Sequence, residues 1–360
     1  MTLSKTSKAF LALVRLGIGH NNTGFPNNID WPTIKALADQ HGLSAIILEA
    51  INSGPTNLSD SVPVQMKLEW IGEVIQNYES RFAAYQKAIG SLAAFYNQHG
   101  YKLMVLKGYA CSLDWPNPKH RPCGDIDIWQ FGAQKEADFF LAKEKGIEID
   151  KGHHHHTVYK WKEFTVENHY DFLNVHHHKS NVELEVILKK LGEDDSHFVE
   201  LYGENVYLPS PNLHALFLLR HSMSNFASTG FQLRQLLDWA FLVEKHIEEI
   251  DWEWLESQLE HFGMKILYDI FNAICVDNFG FDVKLFPKVQ IDPSLKERVL
   301  NDILIPEFSE KESGGFFSRA VVKYRRWKAN AWKHELCFND SLWSAFWSGV
   351  WGHLMKPEMI

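Results

Sequence analysis

The sequence predicts an α+β protein: a small mixed-sheet core between N- and C-terminal helical regions. Three observations carry this prediction. Short apolar runs bounded by glycine or charge, YKLMVL at 101–106 and DIDIWQF at 125–131, have the length and setting of strands. HHHHTVYKW and EFTVENHYDF flank Trp161-Lys162 and read as a β-hairpin. Before and after this middle third, apolar residues recur at a 3.6-residue period. The division that follows is an N-terminal helical region at 1–69, an α/β core with its preceding long helix at 70–208, and a C-terminal helical region at 209–360.

Taken in order, MTLSKTSKAFLALVRLGIGH reads as a folded helix, because Arg15 interrupts its apolar stretch and no small-residue cleavage pattern follows. Asp30 before Trp31-Pro32 starts a second helix, which His41-Gly42 stops. Ile71, Ile75, Tyr78, Phe82, Tyr85, Ile89, Leu92 and Tyr96 alternate fours and threes, the stripe of one long amphipathic helix ending at Gly100. A polar helix with Phe139, Phe140 and Leu141 on its apolar side spans about 133–145. LHALFLLRHSMSNF, FQLRQLLDWAFLVEKH and DWEWLESQLEHFG are separate helices of the last region.

Composition narrows the function. In 360 residues, 36 Lys+Arg against 45 Asp+Glu give a net charge of −9, which disfavours generic binding to nucleic acid or to an anionic membrane. A 45% hydrophobic share is enough for a full core. No window approaches the ~18 uncharged apolar residues of a membrane span. The four cysteines are far apart and form no CxxC pair, so a reducing cytoplasm is expected.

The stretch LKGYACSLDWPNPKHRPCGDIDIW carries the chemistry. Side chains alternate along a strand, so Asp125 and Asp127 share one face while Ile126 and Ile128 take the other. Two adjacent carboxylates repel unless a cation lies between them, and Mg²⁺, a hard ion with oxygen ligands, suits that position. A solvated strand edge is the alternative for the pair taken alone. Lys107-Gly108 adds a point charge and a backbone that can approach a phosphate closely. In EFTVENHYDF, Thr165, Glu167, His169 and Asp171 share a face, which makes Glu167 a candidate third acid. Glu183 and Glu185 compete for that role, but VELEVILKKLG reads better as a helix than as a strand.

With LKG at 106–108, RPCGDIDI at 121–128, VENHYDF at 166–172 and LRQLLDWA at 233–240, the chain resembles the polymerase-beta-like nucleotidyltransferase superfamily. It is closest there to a bacterial branch of uncharacterised nucleotidyltransferase-like proteins. The resemblance implies a nucleotidyltransferase core in which Asp125, Asp127 and Glu167 are catalytic and hold two Mg²⁺ ions, with an NTP as substrate. It implies that Lys107 and Gly108 contact the triphosphate. His169 joins the site through the VENHYDF match, and Arg121 is a phosphate clamp or a surface ion pair. His221, Arg234 and Asp238 fall in the region that closes over the nucleotide; Arg234 and Asp238 also fit an ordinary intrahelical pair. Two departures stand out: the superfamily has Gly followed by Gly or Ser where this chain has Lys107-Gly108-Tyr109, and the interval to Asp125 is longer. The acceptor is expected to be a small molecule or a protein rather than nucleic acid, given the acidic balance.

Two other functions compete with nucleotide transfer. One is an inactive nucleotide- or partner-binding scaffold of the same fold. The other is a histidine-cluster metal protein or hydrolase, built on His153 to His156 with His176 to His178 nearby. A hairpin turning at Trp161-Lys162 places His156 opposite Glu167 and His154 opposite His169, so the metal reading takes His154, His156 and His169. The basic aromatic stretch KYRRWKANAWKH, followed by Trp343, Trp347 and Trp351, is expected to pack on its own domain rather than on a membrane or nucleic acid.

Overall fold

The computed structural model describes residues 3–20, 28–176, 178–228, 230–286, 291–308 and 316–343, without the side chains of 316–320. The chain is α+β and divides into two compact units. The first draws on the described residues of Met1–Gly72, Leu218–Ile247 and Trp252–Leu342; the second draws on those of Glu73–Phe217 and Glu248–Asp251, with Trp343.

The first unit is helical. Ser4 accepts a hydrogen bond from the Ser7 amide and caps helix Lys5–Gly17, whose last residue lies so close to Ile46 that a Cβ at Gly17 would meet the Ile46 carbonyl oxygen at 2.0 Å. Helix Trp31–His41 starts and stops where the sequence places it, with Asp30 accepting from the Thr33 amide and Gly42 left-handed at the end. The basic aromatic stretch packs within this unit: Lys333 pairs with Asp302 at 2.5 Å, and Arg298 lies over the Trp332 ring at 3.9 Å. Trp347 and Trp351 lie outside the described residues. No helix among the described residues is long and apolar enough to cross a membrane.

The second unit holds one six-stranded mixed sheet. Its strands are β1 (Met104–Val105), β2 (Ile126–Trp129), β3 (His156–Trp161), β4 (Phe164–His169), β5 (Phe198–Leu201) and β6 (Glu204–Tyr207), in the order β3-β4-β2-β1-β6-β5. β2 runs parallel to β4 and β1 parallel to β6; the other neighbours are antiparallel. The last two strands have no counterpart in the sequence reading. They form a hairpin through Tyr202 and Gly203, both at positive φ (55° and 83°), as a type I′ turn requires. The long helix is present as Val64–Val74 and Arg81–Gln98 joined by a π-helical segment, Ile75–Ser80.

One face of the sheet is apolar. Val105, Ile126, Ile128, Tyr159, Phe164 and Val166 pack in one cluster with Phe82, Tyr85, Ile89, Leu92 and Tyr96, and with Ala137 and Leu141 of helix Gln134–Lys145. This burial leaves the opposite face for polar side chains.

The β3–β4 register corrects an expectation. The hairpin turns at Lys162 and Glu163, with Lys162 at φ 54°, so His156 faces His169 and Val158 faces Glu167. The polar chain on the packed face accounts for the shift. Thr157 and Asn168 are opposite one another, and both donate to the Asp138 carboxylate, at 2.7 Å and 2.8 Å. The expected register would set Thr157 opposite Val166 and divide that network. Burial pushes the Asp138 carboxyl up against the opposing hydrogen bonds of Thr157, Asn168 and Gln134, so losing a donor there is costly. The shift is two residues, so His156 keeps the face it shares with Glu167.

Candidate active site

The polar face concentrates at the centre of the sheet. Parallel pairing of β2 with β4 sets Asp127 beside Glu167 and Trp129 beside His169. Alternation puts Asp127, Glu167 and His169 on the face opposite Ile126, Ile128 and Val166. Lys107, just past β1, brings its Nζ to 2.7 Å from Asp127 Oδ1. His169 Nε2 lies 3.3 Å from the same oxygen and 3.8 Å from Glu167 Oε2. Its Nδ1 is 3.2 Å from the Asp171 carbonyl oxygen. Both ring nitrogens thus face oxygen atoms.

The two central acids are driven apart electrostatically. Burial alone would raise Asp127, but the Lys107 ammonium and the His169 ring hold its carboxyl well below the usual carboxylate range. Glu167 is pushed up to about 7, first by burial and then by the Asp127 charge, with Lys107 opposing. One ammonium serves two neighbouring carboxylates, and the deficit falls on Glu167.

Asp125 lies one residue before β2 and is exposed. The Tyr85 hydroxyl donates to its backbone carbonyl at 2.7 Å, fixing the chain where it enters the strand. Gly108 closes the same corner at φ 59° and ψ −98°, where an added Cβ would meet Tyr85 Oη at 2.5 Å. Both the backbone angles and the space demand glycine. Gly108→Ala is therefore expected to cost about 3 kcal/mol, since strain and overpacking add. Urea denaturation of the two proteins measures it; a loss below about 0.5 kcal/mol, the size of an ordinary surface change, would mean that the corner relaxes freely.

The other sequence candidates separate. Arg121 is buried and donates from Nη1 to the Pro122 carbonyl at 3.3 Å. Arg234 and Asp238 lie one turn apart on helix Leu233–His246, in the first unit, as does His221. Glu183 is exposed on helix Lys179–Gly192. Glu185, on the same helix, is buried and accepts from the Phe172 and Leu173 amides at 2.9 Å each. It anchors the chain leaving β4, a role the sequence did not reveal. Burial pushes its carboxyl up to about 7, with the two amides opposing.

The histidines border the carboxylates. His156 Nε2 is 4.0 Å from Glu167 Oε1, and burial, followed by the charges of His169 and His153, lowers His156 to about 3. His155, rather than His154, completes a group with His156 and His169. His154 instead lies beside His176, the ring centroids 5.6 Å apart and the planes tilted by 57°.

Known proteins give the site a family. No curated protein sequence matches the chain. Among solved structures, an antigenic nucleotidyltransferase-like protein from Paracoccidioides brasiliensis is similar at 14% identity. The likeness covers 56% of this chain and 95% of that one with a TM-score of 0.36, too slight to carry an argument. Residues 27–280 match the family described as uncharacterised nucleotidyltransferase, a span that includes Lys107, Gly108, Asp125, Asp127, Glu167 and His169. With more than half its length matched, the chain belongs to this nucleotidyltransferase family.

Proposed function

We propose that the protein is a Mg²⁺-dependent nucleotidyltransferase that moves an NMP group from an NTP to an acceptor hydroxyl or phosphate. The observation that carries this reading is the pairing of Asp127 with Glu167 on adjacent parallel strands, with Asp125 two residues ahead on the same alternation. The donor chemistry fits a hard divalent cation: the acids offer only oxygen, and Glu167 is pushed up to about 7 by burial and then by the Asp127 charge beside it. Asp125, Asp127 and Glu167 would hold the two ions. When bound, they supply charge neutralisation at the triphosphate and at the acceptor oxygen.

The chain's own groups divide the remaining work. Gly108 lets the backbone approach a phosphate. The Lys107 ammonium, held by Asp127 at 2.7 Å, is placed to exchange that carboxylate for a phosphate oxygen. Glu167, when ionised, accepts the acceptor hydroxyl's proton, and its raised value keeps it a competent base near neutrality. Arg121 and His169 border the phosphate path. The acceptor class favoured by the −9 charge is a small molecule or a protein.

The Lys107–Asp127 ion pair favours one second reading, a nucleotide-binding scaffold that needs no metal, because the ammonium occupies the carboxylate that a metal would use. Calorimetric titration of the four NTPs with and without Mg²⁺, into wild type and an Asp125→Asn/Asp127→Asn variant, separates the two. Binding that requires Mg²⁺ and is lost in the variant is the expected result. Binding indifferent to Mg²⁺ favours the scaffold, and no binding of any NTP rejects both.

A further inference from the structure

We infer that His155, His156 and His169 form a second metal site beside the acids, one that selects a borderline-soft divalent ion of the Zn²⁺ class. One ring nitrogen from each lies within 4.8 Å of the others. A tetrahedral ion with Zn–N bonds of about 2.1 Å needs nitrogens about 3.4 Å apart, so modest side-chain rotation closes the set. The rings are already gathered, with centroids 4.4 Å (His155–His156), 5.2 Å (His156–His169) and 5.4 Å (His155–His169) apart.

Three further features suit a ligand set rather than chance crowding. The Asp171 carbonyl, 3.2 Å from His169 Nδ1, fixes that ring as metal-binding histidines are usually fixed. His156 is only 8% exposed, and its Nδ1 has no hydrogen-bond partner among the described residues, a polar atom that burial leaves in need of one. The His155 backbone is held in place, since its carbonyl accepts from the Tyr170 and Asp171 amides at 3.0 Å and 3.1 Å.

Ligand softness separates this site from its neighbour. Carboxylate oxygens suit Mg²⁺, and imidazole nitrogens suit Zn²⁺, Co²⁺ or Ni²⁺. The two sites adjoin at His169, yet the histidine site does not rest on the nucleotide reading and is tested without a nucleotide.

The test is Co²⁺ titration into chelator-stripped full-length protein, read as visible ligand-field absorption, with Zn²⁺ then added as competitor. One Co²⁺ per chain with tetrahedral absorption, displaced by Zn²⁺ and not by millimolar Mg²⁺, is expected. His155→Gln and His156→Gln should each weaken Co²⁺ binding about tenfold or more, while His154→Gln, outside the set, retains it. Circular dichroism of each variant establishes that it is folded. Absence of the absorption in folded wild type overturns the proposal. So does binding that survives both histidine variants or is displaced by millimolar Mg²⁺, since the ion would then belong to the carboxylates.

Discussion

Asp127→Asn is expected to do two things: abolish Mg²⁺-dependent nucleotide binding with at least about a thousandfold loss of transfer, and destabilise the fold by about 3 kcal/mol. The second effect follows from the ion pair. The Lys107 and Asp127 side chains are only 17% and 10% exposed, and they meet at 2.7 Å. Removing one charge leaves the other poorly solvated, with Nζ 5.9 Å from the centre of the Phe217 ring. Lys107→Met/Asp127→Asn should recover most of the lost stability without recovering nucleotide binding.

The pH dependence has a definite sign. The folded Asp127 carboxyl is held below its ordinary value of 3.8, so its contribution is complete above that value and is lost as pH falls beneath it. Between pH 4.5 and pH 3, below the range in which folded Glu167 titrates, stability should therefore fall more steeply in wild type than in Asp127→Asn. Parallel curves, or an Asn variant as stable as wild type at neutral pH, would show that solvent screens the pair.

How much of this was legible in the sequence depended on the kind of information each feature uses. Local signals were sufficient for helices such as Trp31–His41, where Asp30, Pro32 and Gly42 state the start and stop within the segment. They were sufficient for the strand carrying Asp127, because two-residue alternation separates carboxylates from isoleucines without reference to any partner. Register is different, because it is set by tertiary contacts. The turn at Lys162-Glu163 contains no Asn-Gly or Asp-Gly, and Thr157 reaches Asp138 only after helix Gln134–Lys145 has packed. That is why sequence alone sets His154 opposite His169, a position that His156 takes, and why it does not reveal that His155 joins those two rings. The β5–β6 hairpin escaped for a related reason: its strands are four residues each and carry no long apolar alternation. Glu185 escaped because a carboxylate that caps loop amides looks, in sequence, like any polar helix position.

For Glu167 the expected result is a pH-dependent cation affinity that its amide variant lacks. A protonated carboxyl is a poor metal ligand, and Glu167 is pushed up to about 7 by burial and the neighbouring Asp127 charge. As pH rises from 6 to 8 the ionised fraction climbs from about one tenth to about nine tenths, so Mg²⁺-nucleotide affinity should rise about tenfold on this account. The nucleotide's own phosphate also titrates, but equally for both proteins, so the ratio of wild-type to Glu167→Gln affinity isolates the side chain. That ratio should grow about tenfold over the interval. Turnover should fall about a hundredfold or more in Glu167→Gln, because ligand and base are lost together. Glu185→Gln should instead lower stability by about 2 kcal/mol, since one amide of the Phe172–Leu173 pair would face a donor, and should leave the affinity ratio nearly flat. A ratio that stays flat for Glu167→Gln and grows for Glu185→Gln would transfer the third-acid role to the helix. That reversal would require the chain after β4 to open, because the Glu185 oxygens are already occupied by those two amides.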